Sequence, residues 1–226
     1  MNFVRLSLVV AAKDLRSELR TKEALNASLS FALVILLLFS FAFDPSSEQI
    51  AEFSGGLLWI TFAFAGALIL NRSFSRELAN DCLDVLVASP VSGAALFFGK
   101  ALANYALLVA VEIVCLPVFG VFYRVRWTRQ FWWLMLVILL ASWVMTVMGT
   151  MFSALTVNLR LRELMLPTLI YPMLIPALMA AMQLTTLILA GSPVAGDDLI
   201  WLRLLTGLAI IFTSLALGLV EIVLVR

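Results

Sequence analysis

The chain has 226 residues, of which 63% are hydrophobic and only 13% charged, and its formal net charge is +1. A soluble domain of this length carries more charge, so the composition indicates an integral membrane protein and argues against nucleic-acid binding. The absence of histidine excludes a histidine metal site, a Ser-His-Asp triad and a histidine general base, and two cysteines exclude a disulfide framework.

Residues 1–23 predict an amphipathic helix that lies in the membrane interface. Charged residues begin at Lys13 and no small-residue cleavage site follows the apolar start, which argues against a cleaved signal peptide. Helical spacing gives this segment one apolar face, formed by Leu8, Ala11, Ala12, Leu15 and Leu19. The alternative interpretation is a plain basic flank of the first membrane span.

Six apolar runs, each of about 18 residues or more, predict six transmembrane helices. They cover residues 24–43, 53–70, 98–123, 131–157, 164–190 and 200–220. No run alternates with period two, so strands are not expected. Because no polar connection is long enough for a separate core, residues 1–226 are predicted to form one all-α transmembrane domain.

The distribution of lysine and arginine predicts the orientation of the spans. Eleven of the 15 basic residues fall on the side that holds both termini and the second-to-third connection. The first and last connections on the other side carry only acidic residues, and both termini are therefore predicted to be cytoplasmic. Three arginines, Arg124, Arg126 and Arg129, depart from the rule and lie on the outer side beside an aromatic belt.

The polar connection before the third span ends in Gly-Lys, which raises the question of a phosphate loop. Gly93 and Gly99 are separated by five residues instead of four, and Ala101 stands where the motif needs a hydroxyl. No strand precedes the segment, so it is not a nucleotide site. Its leucines and acidic residues instead predict a short amphipathic helix at 74–90, ended by Pro90. Such a helix either rests on lipid or docks a soluble protein, and docking is the favoured interpretation.

The order NRSFSREL-x3-CLDVLVASP-x7-FGK-x3-N, from Asn71 to Asn104, resembles the second-to-third connection of the haem exporter protein B family. That family provides the membrane subunit of the cytochrome c maturation ABC transporter, of the ABC-2 type. The leading segment AAKDLRSELRTKEAL and the proline-rich LMLPTLIYPMLIPALMA resemble the same family, so the similarity extends along the chain.

The resemblance implies a homodimer of six-helix subunits in a bacterial inner membrane, joined to two copies of a separate ATPase. ATP and magnesium would be held by that partner, and this chain would bind no cofactor of its own. Haem would be the transported ligand or would be held by haem-handling membrane partners. The residues that would couple this permease to the ATPase are Arg76, Glu77, Asp81, Leu83, Asp84, Leu86 and Pro90.

Several residues within or beside the spans are candidate functional groups. Glu112 in the third span must face the bundle or a cavity, either on a substrate or proton path or as a buried hydrogen bond to another helix, near Asn104 or across the dimer. The outer arginines are candidates for binding haem propionates. Three prolines in the fifth span indicate a kinked helix or, alternatively, a gating hinge; they are Pro167, Pro172 and Pro176.

Three other functions compete with haem delivery. An ABC-2 exporter of lipid, polysaccharide or drug would have the same ATPase-docking residues. An intramembrane enzyme would need a nucleophile with a base, or a metal cluster, and the spans contain neither pattern. A secondary transporter is disfavoured because the two halves lack matching broken helices.

Overall fold

The computed structural model describes residues 3–43, 48–74, 92–124, 128–156 and 162–224, and every regular element in these ranges is helical. There are seven α-helices in the described part and one short 3-10 turn, Gly196–Asp198. The helices are α1 (Phe3–Thr21), α2 (Glu23–Ala42), α3 (Glu48–Asn71), α4 (Gly93–Phe122), α5 (Phe131–Thr156), α6 (Arg162–Ala190) and α7 (Leu199–Leu224).

Six of these helices, α2 to α7, are long and apolar enough to cross a membrane. The prediction of an all-α protein with six spans is thereby confirmed. The helix of the third span begins earlier than the apolar run suggested, at Gly93. Ser92 caps it, because its Oγ accepts a hydrogen bond from the backbone N–H of Ala95 at 3.3 Å.

The centre of the bundle is formed around α5, which carries no charge and packs against α4, α6 and α7. α3 packs most extensively against α6. Two hydrogen bonds fix this pair: Trp59 Nε1 donates to Thr185 Oγ1 at 2.9 Å, and Tyr171 Oη donates to the Ala63 carbonyl at 3.1 Å. Since lipid offers no competing water, such bonds help to align helices that hydrophobic burial alone would leave free to slide.

α1 is a separate helix that lies against the first turns of α4. Its buried face consists of Ser7, Val10, Ala11 and Glu18. The predicted apolar face is mostly a different face of α1, since Leu8 and Leu19 are more than half exposed and Ala11 is buried. The contact with α4 is close at Gly99, where Ser7 and Val10 of α1 lie against the α4 backbone.

The α1–α4 contact predicts the effect of enlarging Gly99. A Cβ atom at this position would lie 2.6 Å from the Ser7 carbonyl oxygen and 2.7 Å from Val10 Cβ. Gly99→Val should lower the free energy of unfolding by about 1–3 kcal/mol because backbone atoms of α1 must move. Thermal unfolding in detergent measures this change.

The matched control is Gly207→Val, because a Cβ atom on Gly207 of α7 meets nothing within 4 Å. The control should unfold at or above the wild-type temperature. Equal melting temperatures for the two variants would contradict the α1–α4 packing.

Candidate functional site

The amphipathic helix predicted at 74–90, which we call the docking helix, lies outside the described residues apart from Phe74. This applies to all of its candidate residues, namely Arg76, Glu77, Asp81, Leu83, Asp84, Leu86 and Pro90. Its two attachments are described, however. Phe74 is buried at the end of α3, and Ser92 caps the start of α4.

Lys100 lies two turns into α4 and is 1% exposed. Its Nζ is 3.1 Å from Asp14 Oδ2 of α1 and donates to the Ser73 carbonyl at 3.0 Å. The same atom lies 4.8 Å from the centre of the Phe74 ring, in the position of a cation–π contact. A buried ammonium group is costly unless charge and hydrogen bonds compensate it, so these partners are held in place by Lys100.

Asn104 continues this contact one turn further along α4. Its Nδ2 donates to Ser73 Oγ at 2.8 Å and to Thr150 Oγ1 of α5 at 2.9 Å. We refer to these five residues as the polar junction: Asp14, Ser73, Lys100, Asn104 and Thr150. The polar junction joins α1, α4 and α5 to Ser73, which lies between the end of α3 and the predicted docking helix.

Glu18 connects α1 to α2. Its Oε1 accepts hydrogen bonds from the backbone N–H groups of Ala24 at 2.7 Å and Leu25 at 3.0 Å, at the positive end of the α2 dipole. Lys22, between the two helices, has a left-handed backbone with φ 57°, which makes the turn abrupt. α1 is thus held by α2 at one end and by α4 along its length, and the structure favours its moving with them as one body.

Glu112 is fully buried further along α4. Ser142 of α5 donates from Oγ to Glu112 Oε1 at 2.5 Å. The second oxygen, Oε2, has no hydrogen-bond partner within the described residues. Glu112 therefore bonds to another helix, α5, through Ser142. Asn104 does not take part, because its amide group donates to Ser73 and Thr150.

The outer arginines are not assembled into one described cluster. Arg124 is exposed and has a left-handed backbone with φ 52°, and Arg126 lies outside the described residues. The guanidinium group of Arg129 lies over Gly191, where an added Cβ would be 2.5 Å from Nη1. Because Gly191 follows the C-terminal end of α6, this position suits a cation by the helix dipole. A haem-propionate role for these residues stays a prediction.

The three prolines are all within α6, which remains one helix from Arg162 to Ala190. Pro172 is exposed, and Pro167 and Pro176 are half-buried. The hydrogen bonds of Tyr171 and Thr185 to α3 attach α6 to its neighbour on both sides of Pro176. The hinge interpretation stays a prediction.

Within the described ranges, no three His, Cys, Asp or Glu residues come together as possible metal ligands. Lys100 and Asn104 were not predicted to act as a unit, although the FGK-x3-N spacing contains the signal. Residues four apart lie on the same face of a helix, so this spacing places both polar groups on one side of α4.

Comparison with known proteins gives a consistent result. Residues 5–219 match the family described as CcmB protein. The chain is 30% identical over 210 residues to heme exporter protein B of Pseudomonas aeruginosa, which covers 93% of each chain. It is 30% identical over 173 residues to heme exporter protein B of Rhodobacter capsulatus, covering 76% of this chain and 79% of the relative. The identity to the Paracoccus denitrificans protein of that name is 27% over 166 residues, 74% of this chain and 76% of the relative.

Removal of the Lys100 charge tests the polar junction. Lys100→Met leaves Asp14 without its buried partner and should lower the free energy of unfolding by about 3 kcal/mol. In a double-mutant cycle with Asp14→Asn, the double variant should lose less stability than the sum of the two single losses, because each single variant removes the same contact. Chemical unfolding in detergent measures all three variants.

Arg72→Met is the matched control, because Arg72 and Glu23 form a 3.0 Å ion pair that is exposed. Its cost should stay below about 1 kcal/mol. Additive losses in the cycle, or equal costs for the two methionine variants, would contradict a structural role for the buried pair.

Proposed function

The chain belongs to the CcmB protein family, and we propose on this basis that it is the membrane subunit of an ABC transporter that exports haem for cytochrome c biogenesis. The observation that carries the proposal is the family match over residues 5–219, which includes all six spans. Heme exporter protein B is also the name of the relatives from three bacteria described above.

The energy for transport would come from a separate ATPase chain. The sequence contains no phosphate loop, and the connection at 74–90 has the leucines and acidic residues of a docking helix. Leucines would enter a groove of the ATPase, and acidic residues would meet its basic rim. We further propose a homodimer with two ATPase copies, assembled with haem-handling membrane proteins.

The polar junction gives a physical route from the ATPase to the spans. A displacement of the docking helix would act first on Ser73 and Phe74, which contact Lys100 and Asn104. Those two side chains in turn contact Asp14 of α1 and Thr150 of α5. Because the contacts involve a buried charge, the docking helix cannot move far without carrying α1 and α4 with it.

The orientation that fits this function places both termini and the docking helix in the cytoplasm of a bacterium, with the spans in the inner membrane. The excess of lysine and arginine at this end of the bundle supports the proposal. The geometry is compatible, because Asp14 of α1 and Ser73, which directly precedes the docking helix, both contact Lys100. ATP is available on that side of the membrane.

Glu112 is the residue within the spans that we assign to the transport cycle. A carboxyl group in the bundle, with one oxygen unpartnered among the described residues, reduces stability relative to an apolar side chain. Such a group is commonly kept for a functional reason, here a substrate or proton path that needs the carboxyl group itself rather than its hydrogen bond to Ser142. The outer arginines, Arg124, Arg126 and Arg129, would serve haem or its carrier on the other side.

An ABC-2 exporter of lipid, polysaccharide or drug is the alternative. It would use the same docking helix and an equivalent polar junction. The shared name of the three relatives favours haem. In a strain that lacks this subunit, loss of cytochrome c without loss of other envelope components would support haem export over the alternative.

Leu86→Arg tests the partner. A charge in place of this leucine should abolish co-purification of the ATPase, because the groove that receives it would be apolar. Membrane insertion and expression should be unchanged. The measurement is the amount of ATPase, and its ATP turnover, recovered with the tagged subunit.

Arg203→Gln is the control for this experiment, since Arg203 is exposed at the first turns of α7, outside the predicted docking helix. It should retain the ATPase fully. Wild-type recovery and turnover with Leu86→Arg would remove the docking proposal.

Glu112→Gln separates a functional from a structural role. The amide keeps the shape of the side chain and an oxygen for the Ser142 hydroxyl, so the free energy of unfolding should change by less than about 1 kcal/mol. Cytochrome c maturation should nevertheless fall to a small fraction of wild type. Haem-stained cytochrome c, relative to the amount of the subunit, is the measurement.

Ser142→Ala is the companion variant, because it removes the hydrogen bond and keeps the carboxyl group. It should cost about 1–3 kcal/mol of stability, because the buried carboxyl group loses its donor, and retain most maturation. Loss of the Glu112→Gln protein from the membrane, or wild-type maturation with it, would contradict the functional assignment.

A further inference from the structure

α1 has two exposed surfaces besides the face that packs on α4. Residues on a helix advance by 100°, so two neighbouring stripes run along its free side. We call the first the apolar stripe, formed by Val4, Leu8, Ala12 and Leu19, and the second the basic stripe, formed by Arg5, Lys13, Arg16 and Arg20.

The apolar stripe is a genuine surface of the described chain. Val4 is 64% exposed, Leu8 56% and Leu19 55%. A shallow depression of about 440 Å³ lies where this stripe meets the basic stripe, lined by Val4, Arg5, Leu8, Val9 and Ala12. An apolar strip of this kind would be unfavourable in water and is suited to the acyl boundary of a membrane.

The arginines of the basic stripe are not neutralised by the acidic residues of the same helix. Asp14 is paired with Lys100 and Lys13, each at 3.1 Å, and Glu18 is bound to the start of α2. Arg5, Arg16 and Arg20 form no ion pair with any residue that the structure describes. Both negative charges of α1 are used inside the protein, and the positive charges remain on its free side.

The position of α1 brings both stripes to the membrane surface. α2, which is long and apolar enough to span, begins at Glu23 directly after the turn at Lys22. Along its length α1 lies on the first turns of another span, with the Phe3 and Phe98 rings 5.8 Å apart. For a helix placed in this way we expect a position at the level of the headgroups, with the apolar stripe towards acyl chains and the basic stripe towards phosphates.

We propose that α1 is a binding site for anionic phospholipid, with acyl chains against the apolar stripe and headgroup phosphates on Arg5, Arg16 and Arg20. Guanidinium groups bind phosphate oxygens in pairs, which favours arginine for this role. Each basic residue at an anionic surface increases binding roughly fivefold, and apolar contact alone would not distinguish anionic from zwitterionic lipid. The proposal does not depend on which substrate is transported.

The test uses the full-length chain in nanodiscs. A fluorophore is attached to Ala12→Cys on the apolar stripe, in a Cys82→Ser background that leaves the buried Cys115. Quenching by brominated phosphatidylglycerol is compared with quenching by the same amount of brominated phosphatidylcholine. Phosphatidylglycerol should quench more strongly, and the excess should decrease as salt is raised, because salt screens exposed charges.

The discriminating variant is R16Q/R20Q, both positions being exposed. The excess of phosphatidylglycerol should decrease by at least about fivefold in this variant, while R203Q on α7 should retain it. Equal quenching by the two lipids, or an excess unchanged by R16Q/R20Q, would overturn the proposal. So would loss of all quenching when the partner ATPase is added, since the stripes would then belong to a protein interface.

Discussion

The positive charge of Lys100 determines how the end of the bundle that holds α1 is organised. An ammonium group with 1% exposure requires an opposite charge and oxygen acceptors, and two parts of the chain that are distant in sequence supply them. Asp14 lies in α1 and Ser73 follows the end of α3, while Asn104 on the same face of α4 reaches Thr150 of α5. The requirement of one charge thus determines the position of α1 and of the residues directly before the predicted docking helix.

The membrane explains the other polar contacts in the same way. Without water in the hydrocarbon region, every polar side chain must find a partner inside the bundle or reduce stability. Trp59 and Tyr171 find such partners between α3 and α6. Ser142 provides a partner for one of the two carboxyl oxygens of Glu112. The unpartnered Glu112 oxygen among the described residues is therefore informative, since a purely structural carboxyl group would be expected to be fully bonded.

Much of the fold followed from composition. Six apolar runs of sufficient length predicted six spans, because the thickness of the bilayer sets a minimum length for each helix. The residues around Arg76 to Pro90 carried the family resemblance, and the match to the CcmB protein family confirmed it. Less of the candidate site could be predicted. Spacing predicted one apolar face of α1 with Leu8 and Leu19, and both are exposed. It did not predict that Ser7 and Val10 are the residues that contact α4 at Gly99.

The sequence by itself determined that the chain is a membrane protein, how many spans it has and to which family it belongs. Hydropathy and short motifs are local properties that need no knowledge of neighbouring helices. Only the tertiary structure decided which polar groups meet. The partnership of Lys100 with Asp14 spans 86 residues, and that of Glu112 with Ser142 spans 30. Such pairs depend on the rotation and depth of each helix in the bundle, and these are set by packing between helices, which no local pattern specifies.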